Sequence, residues 1–371
     1  MTITRSATSS QPTEATVDAF VERLFGALLG AQEIQAAYLG DRLGWYRALA
    51  EHGPCTSTEL AQRTETAERY AREWLEHQAA IGWLGVEDLD APATERRFVL
   101  APEQAEVLTD GDSLNHVLPL ARLIAGVGRK LDELAGAYRT GGGLGWAEHG
   151  HVGREAQALA NRPYFVHQLA DDLAAVPDVH EALRAGARVA DVGCGGGWSS
   201  IGLALAHPGV TVDGFDIDEP SIVMAQAAAA EAGLDDRVRF HAVDAATASD
   251  ATGDSTPYDV VFAFECVHDM SDPVGVLSAM RQLAGDGGTV IVMDERVGER
   301  FTAPADPVER LMYGYSITCC LPDGMSHPPA AGTGTVMRPA TLEGYARDAG
   351  FVGIEALPIE NEFFRFYRLS R

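Results

Sequence analysis

Ala190-Asp191-Val192-Gly193-Cys194-Gly195-Gly196-Gly197 follows the short apolar run Ala187-Arg188-Val189 and precedes a helical pattern that opens near Trp198. The order is strand, glycine turn, helix. Asp191 closes the strand. Gly193, Gly195 and Gly197 let the backbone turn sharply and approach a ligand, because no Cβ stands in the way. A dinucleotide fingerprint, Gly-x-Gly-x-x-Gly, is the competing reading, and its third place holds glycine or alanine where the helix packs on the strand. Counted from Gly193, that place holds Trp198, and an indole does not fit it.

Downstream residues decide what the turn belongs to. A helix over about 199–206 leads to the alternating run Val210–Asp216, a second strand ending in a carboxylate. Asp216 lies about 20 residues past the turn, where an acid can accept from ribose hydroxyls. Val238–Asp244 is a third strand that again ends in an acid. Tyr258–Phe264 is the fourth, followed by Glu265-Cys266-Val267-His268-Asp269, and Gly288–Met293 is the fifth. Strand and helix signals alternate from 187 to about 300, which predicts an α/β, doubly wound, mostly parallel sheet with ligands beyond the carboxyl ends of its strands. Phe351–Leu357 and Glu362–Leu369 read as a closing antiparallel pair, making seven strands. Any one strand-end Asp is an ordinary turn or cap residue. Three in register with a glycine turn point to a ligand site. Asp218, ahead of Glu219-Pro220-Ser221, reads only as a helix cap.

Charge narrows the partners. With 28 basic against 54 acidic residues in 371, the formal net charge is −26, so phosphate backbones and anionic membranes are repelled. Neither nucleic acid nor membrane is an expected partner. Five cysteines with no Cys-x-x-Cys pair give neither a disulfide framework nor a zinc pattern, so no metal is expected. No apolar run spans a bilayer and residues 1–18 lack a signal-peptide core. A cytoplasmic protein with a disordered tail over 1–18 is the expectation.

Residues 19–110 carry apolar positions at helical spacing, a Thr56-Ser-Thr-Glu59 capping box, a helix over about 67–81 and two short strands at Trp83–Val86 and Arg97–Leu100. Helix, turn, helix and wing make a winged-helix module. Its second helix has Glu68, Glu73 and Glu76 among Arg69 and Arg72, without the basic surplus that DNA requires, so dimerisation is the expected role. Residues 111–185 read as a helical connector and pocket lid, interrupted by Gly141-Gly-Gly-Leu-Gly145, a hinge or loop by composition. Residues 186–371 form the remaining domain, with an insertion at 300–338.

From about residue 20 onward the chain resembles bacterial small-molecule methyltransferases, which join a winged-helix dimerisation domain to a class I domain binding S-adenosylmethionine. It is also similar to plant-type O-methyltransferases. Asp-x-Gly-x-Gly-x-Gly at 191–197 resembles their first motif, and Val267-His268-Asp269-Met-Ser-Asp272 resembles their His-Asp-x-x-Ser-Asp segment. The resemblance implies S-adenosylmethionine as cofactor, held by Asp191, Gly193, Cys194, Gly195, Gly197, Asp216, Ile217, Asp244, Ala245 and Phe264, with Asp244 on the adenine amine. It implies that His268 deprotonates an acceptor hydroxyl, and that the protein is a homodimer acting on a small organic molecule in secondary metabolism. Whether Asp294 or Glu295 orients the histidine stays open. Tyr164, His167, Trp198, Met312, Tyr313 and Cys319 are the expected acceptor-lining residues. Methyl transfer needs alignment in a water-poor pocket and removal of one proton, which a histidine near neutrality can take. The alternatives are a ligand-sensing transcriptional regulator, an N- or C-methyltransferase, and a fold that keeps the cofactor without methylating.

Overall fold

The structure, a computed structural model, describes residues 16–248 and 252–371. Most of the expected tail therefore lies outside the described residues. The chain divides into one compact unit up to Gly126 and a second from Val127 to Arg371.

In the first unit, α1 (Val17–Arg42) begins at the Thr16 cap and runs unbroken. Its last turns pack: Trp74 Nε1 donates to the Ala36 carbonyl at 2.9 Å, and a Cβ on Gly40 would run into the Trp74 ring. α2 (Trp45–His52), α3 (Ser57–Arg63) and α4 (Glu68–Ala80) follow. The capping box forms as the sequence requires: Glu59 N–H donates to Thr56 Oγ1 at 3.2 Å, and Thr56 N–H to Glu59 Oε2 at 2.8 Å. β1 (Gly85–Val86) pairs antiparallel with β2 (Phe98–Val99) to make the wing. Trp45, Tyr46, Leu49, Leu60, Leu75 and Phe98 close the core.

The second unit is built on a seven-stranded sheet. Its strands are β3 (Arg188–Val192), β4 (Thr211–Asp216), β5 (Val238–Ala242), β6 (Val260–Phe264), β7 (Thr289–Glu295), β8 (Gly353–Ala356) and β9 (Phe364–Ser370). Their order is β5-β4-β3-β6-β7-β9-β8, with β9 antiparallel to both neighbours. Of the central strands, β6 is apolar throughout, and β3 and β7 are apolar apart from Arg188, Asp191, Thr289, Asp294 and Glu295, because both faces are covered. Val189, Phe262 and Ile291 point into one core, and Ala190, Val261 and Val290 into the other. No helix among the described residues is long and apolar enough to cross a membrane.

β7 and the glycine stretch 141–145 depart from the sequence reading. β7 continues two residues past Met293, because Asp294 and Glu295 pair with Arg365 and Phe364 of β9. The glycine stretch 141–145 is a packed loop: Leu144 N–H donates to the Pro322 carbonyl at 2.9 Å and Trp146 N–H to Asp323 Oδ1 at 2.7 Å. A Cβ on Gly143 would collide with the backbone of Pro322 and Ser326, so glycine there serves close approach.

Candidate functional site

The chain leaves β3 toward β4 and β5 on one side of the sheet and returns to β6 on the other. The crevice of such a sheet opens at this reversal, beyond the strand ends. Two loops border it, 193–197 after β3 and 265–272 after β6. They touch, since a Cβ on Gly193 would sit 2.7 Å from Cys266 Sγ and 3.3 Å from Met270 Cε.

The first loop is a glycine cradle. Gly193, Gly195 and Gly197 all have positive φ, at 72°, 49° and 79°, a conformation that β-carbons oppose. A Cβ on Gly197 would strike Phe240 and Ala225, whereas one on Gly195 would meet nothing within 4 Å. The open side of the cradle is therefore at Gly195. Gly195 N–H donates to Asp216 Oδ2 at 2.8 Å, and Asp218 N–H to Asp216 Oδ1 at 2.8 Å, so the end of β4 is tied to the cradle. Burial raises the Asp216 carboxyl above its ordinary range.

Asp191 is fully buried at the end of β3. Its Oδ2 accepts from the Ser199 and Ser200 hydroxyls, each at 2.6 Å, on the first turn of the helix Trp198–Ala206. Oδ1 is buried with no partner among the described residues. Burial pushes this carboxyl up to about 6, against the lowering effect of the two hydroxyls.

The remaining expected cofactor residues fall along the same edge. Cys194 is buried in the cradle and Phe264 ends β6. Ile217 is 71% exposed beyond Asp216. Asp244 lies two residues past the end of β5, not within it, because the chain turns there into the short 3₁₀ helix Ala245–Thr247. Ala245 is buried beneath that turn.

The second loop carries the polar centre. His268 is buried, and its Nδ1 lies 2.8 Å from Asp294 Oδ1 and 3.0 Å from Glu295 Oε2. Both acids left open by the sequence reach the ring because β7 extends to Glu295. Burial alone would favour the neutral ring. Glu295 and Asp294 outweigh it and hold the imidazole well above its ordinary value. Burial and Asp294 hold Glu295 well above the carboxylate range, while His268 leaves Asp294 below it despite burial. The loop is clamped from the insertion: Gly334 N–H donates to the His268 carbonyl at 2.9 Å, and Ser271 Oγ to the Gly324 carbonyl at 2.8 Å. Glu265, three residues earlier, has φ 53° and a buried Oε1 without a partner among the described residues, and burial raises its carboxyl to about 8. Strained, buried, titratable groups of this kind gather at functional sites.

The expected lining residues are spread more widely. Tyr164, on the helix Gly150–His167, donates to Asp172 Oδ2 at 2.7 Å and packs on Phe364 with ring centres 5.0 Å apart. Burial, with Asp172 beside it, raises its hydroxyl well above the ordinary phenol value. Trp198 lies under the Arg162 guanidinium, 4.8 Å from ring centre to Cζ. Cys319 is buried with Sγ 3.8 Å from His149 Nε2. Met312 packs with Val297 and Val308, Tyr313 Oη accepts from Arg338 at 3.3 Å, and His167 is exposed at the end of the helix Gly150–His167.

The structure adds residues that the sequence did not single out for the site. Asp218 caps its helix through Ser221 N–H, as expected. It also forms a buried two-pronged ion pair with Arg154 of the helix Gly150–His167, at 2.6 Å from Nη2 and with the Nε contact alongside. Ser199 and Ser200 could have been found as hydroxyls on the turn that follows Asp191. Arg154 offered no local signal.

Two family models match, a Methyltransferase domain over residues 183–313 and an Rv2258c-like winged HTH domain over residues 35–110. The 27-O-demethylrifamycin SV methyltransferase of Amycolatopsis mediterranei is 33% identical over 149 residues, 40% of this chain and 52% of the relative. The ubiquinone biosynthesis O-methyltransferase of Methylococcus capsulatus is 30% identical over 189 residues, 48% of this chain and 71% of the relative. The chain thus spans about half the length of the first relative and more of the second. Among solved structures, the mitomycin 7-O-methyltransferase MmcR superposes with TM-score 0.71 at 22% identity, covering 95% of this chain and 98% of that one. Human N-acetylserotonin methyltransferase, in complex with SAM, gives 0.68 at 18% identity, covering 96% and 99%. These two establish the fold. With the strand-end cradle, the matched domain and a relative covered over more than two thirds of its length, the chain belongs to the methyltransferase family.

Proposed function

We propose that this chain is an S-adenosylmethionine-dependent methyltransferase that methylates a hydroxyl oxygen of a small organic acceptor, as a homodimer in the cytoplasm. The observation that carries the reading is His268, whose Nδ1 is hydrogen-bonded to buried Asp294 with buried Glu295 alongside, beside a glycine cradle.

The cradle fits the cofactor. Gly195 leaves its open side free of any Cβ contact, and the buried, unpartnered Oδ1 of Asp191 offers an acceptor to an N–H or O–H of a bound group. Gly193, Cys194, Gly195 and Gly197 would line it, Asp216 with Ile217 would take the ribose, and Asp244, Ala245 and Phe264 would border the adenine. S-adenosylmethionine supplies an electrophilic methyl group on a sulfonium. The chain's own residues do the rest. Nδ1–H donation to Asp294 fixes the tautomer with Nε2 as proton acceptor, and the Asp294 carboxylate stabilises the imidazolium that forms. The acceptor side is assigned to Tyr164, Trp198 and Cys319, with His167, Met312 and Tyr313 further out.

Residues 19–110 form the dimerisation module, 111–185 the connector and lid, and 186–371 the catalytic domain. Support for the dimer comes from α1, where Phe20, Val21, Leu24, Phe25, Leu28 and Leu29 are 49–65% exposed at the three- and four-residue spacing of a helix seam. A DNA-binding regulator is less well supported. Arg69 pairs with Glu73, Arg72 with Glu68, Arg96 with Glu76 and Arg97 with Glu59, so helix and wing spend these cations internally. The test is incubation of the protein and S-adenosylmethionine with phenolic, enolic, amine and carbon acceptors. Formation of S-adenosylhomocysteine with hydroxyl acceptors is expected, and its absence across the panel would overturn the reading.

A further inference from the structure

The His268 centre has a second side. One ligand atom each from His268, Asp269 and Cys320 lies within 4.8 Å of the others. They bring three chemistries together: an imidazole nitrogen, a carboxylate oxygen and a thiol sulfur. We propose that His268, Asp269 and Cys320 form an inhibitory binding site for a thiophilic divalent cation of the Zn²⁺ class. The inhibitory part rests on His268 being the base; the binding part does not.

The donor set selects the ion. Mg²⁺ and Ca²⁺ prefer all-oxygen sites, whereas a mixed nitrogen, oxygen and sulfur set suits zinc and cobalt. Three protein ligands leave one position of a tetrahedral zinc site open. The surroundings fit as well. Nδ1 of His268 is engaged by Asp294 at 2.8 Å and Glu295 at 3.0 Å, so a cation would take Nε2. A carboxylate on the far nitrogen is the arrangement that orients metal-bound histidines and raises their basicity. The third ligand is also held in place. Cys320 ends the π-helical turn Ser316–Cys320, and such turns recur at functional sites. The following helix, Leu321–Gly324, is tied to the His268 loop by the Ser271 to Gly324 hydrogen bond. The two segments that carry the ligands are therefore held to each other.

Binding is balanced in charge and protons. The Cys320 thiol proton, the Nε2 proton of the imidazolium form of His268 and the carboxyl proton of Asp269 go to solvent as the three metal bonds form, His268 keeps its Nδ1–H hydrogen-bonded to Asp294, and no electron is transferred. The cation then occupies the Nε2 lone pair that would accept the acceptor's proton. Methyl transfer stops until a chelator removes the ion.

Cobalt tests the site directly. The full-length protein, purified through a chelator, is titrated with Co²⁺ while the near-ultraviolet thiolate-to-cobalt charge-transfer band is recorded, and then with Zn²⁺. One equivalent of cobalt should raise the band in wild type and in Cys319→Ala, zinc should displace it, and Cys320→Ala should not show it. Zinc affinity in that variant should fall by more than the roughly 10–100-fold that loss of an outer partner costs. A second reading uses wild type alone: zinc, but not Mg²⁺, should protect Cys320 from alkylation, located by peptide mass. No band and no protection in wild type, or a band that survives Cys320→Ala, would overturn the proposal. If the band and protection appear while no acceptor is ever methylated, the site stands and the proposed activity falls. Methylation without either signal has the opposite meaning.

Discussion

At the scale of single residues, the site is a set of buried carboxyl groups whose partners decide their charge. Asp191 has a folded-state carboxyl near about 6, above its unfolded value of about 3.8. A group raised in this way contributes stability that is fully present below the unfolded value and is lost as pH rises through the folded one. Above about pH 6, the ionised Asp191 thus costs on the order of 1–3 kcal/mol. Asp191→Asn is expected to match wild type in unfolding free energy near about pH 4 and to exceed it by at least 1 kcal/mol near about pH 8, while binding S-adenosylmethionine more weakly by calorimetry. A variant less stable at high pH would show that the Ser199 and Ser200 hydrogen bonds need the charged form. For His268 the sign runs through catalysis. Its imidazole is held above the ordinary value by Glu295 and Asp294, so kcat/KM should rise with pH through a limb above about 6.5. Asp294→Asn removes one of those charges, and the limb should shift to lower pH with a fall in plateau rate of roughly tenfold or more. A limb that stays in place would mean that Asp294 does not set the basicity of the ring.

At the scale of elements, α1 is the exposed liability of the first unit, its Phe20 to Leu29 stripe standing in solvent beside a packed C-terminal half. Leu24→Glu with Phe25→Glu should convert a dimer mass to a monomer mass in light scattering and leave the helical circular dichroism unchanged. An unaltered dimer would place the interface elsewhere. Elements also mark how far the sequence could be read. Capping at Thr56 and Asp218 was legible because those bonds join residues three apart, and the cradle was legible because glycine spacing is local. The end of β7 was not: Met293 looks terminal until β9, far along the chain, supplies partners for Asp294 and Glu295. The glycine stretch 141–145 reads as a hinge by composition, yet it is held by Pro322 and Asp323, contacts that composition does not encode.

At the scale of the whole molecule, alternating strand and helix signals were enough for the doubly wound sheet, because each βα unit declares itself locally. The acids at successive strand ends then placed the cofactor edge. The polar centre was only half legible. His268 stood out by its motif, but Glu265, Arg154 and Cys320 acquire meaning only when the Gly150–His167 helix and the 300–338 insertion fold against the sheet. Those same segments carry the residues assigned to the acceptor, Trp198 excepted, which is why its identity is not written in any contiguous motif. The account turns on His268 as the base. Single-turnover methyl transfer from labelled S-adenosylmethionine, wild type against His268→Ala, tests it most directly, with cofactor affinity measured in parallel. A loss of roughly 10²-fold or more in rate at unchanged cofactor affinity is predicted; an unchanged rate on a hydroxyl acceptor would contradict it.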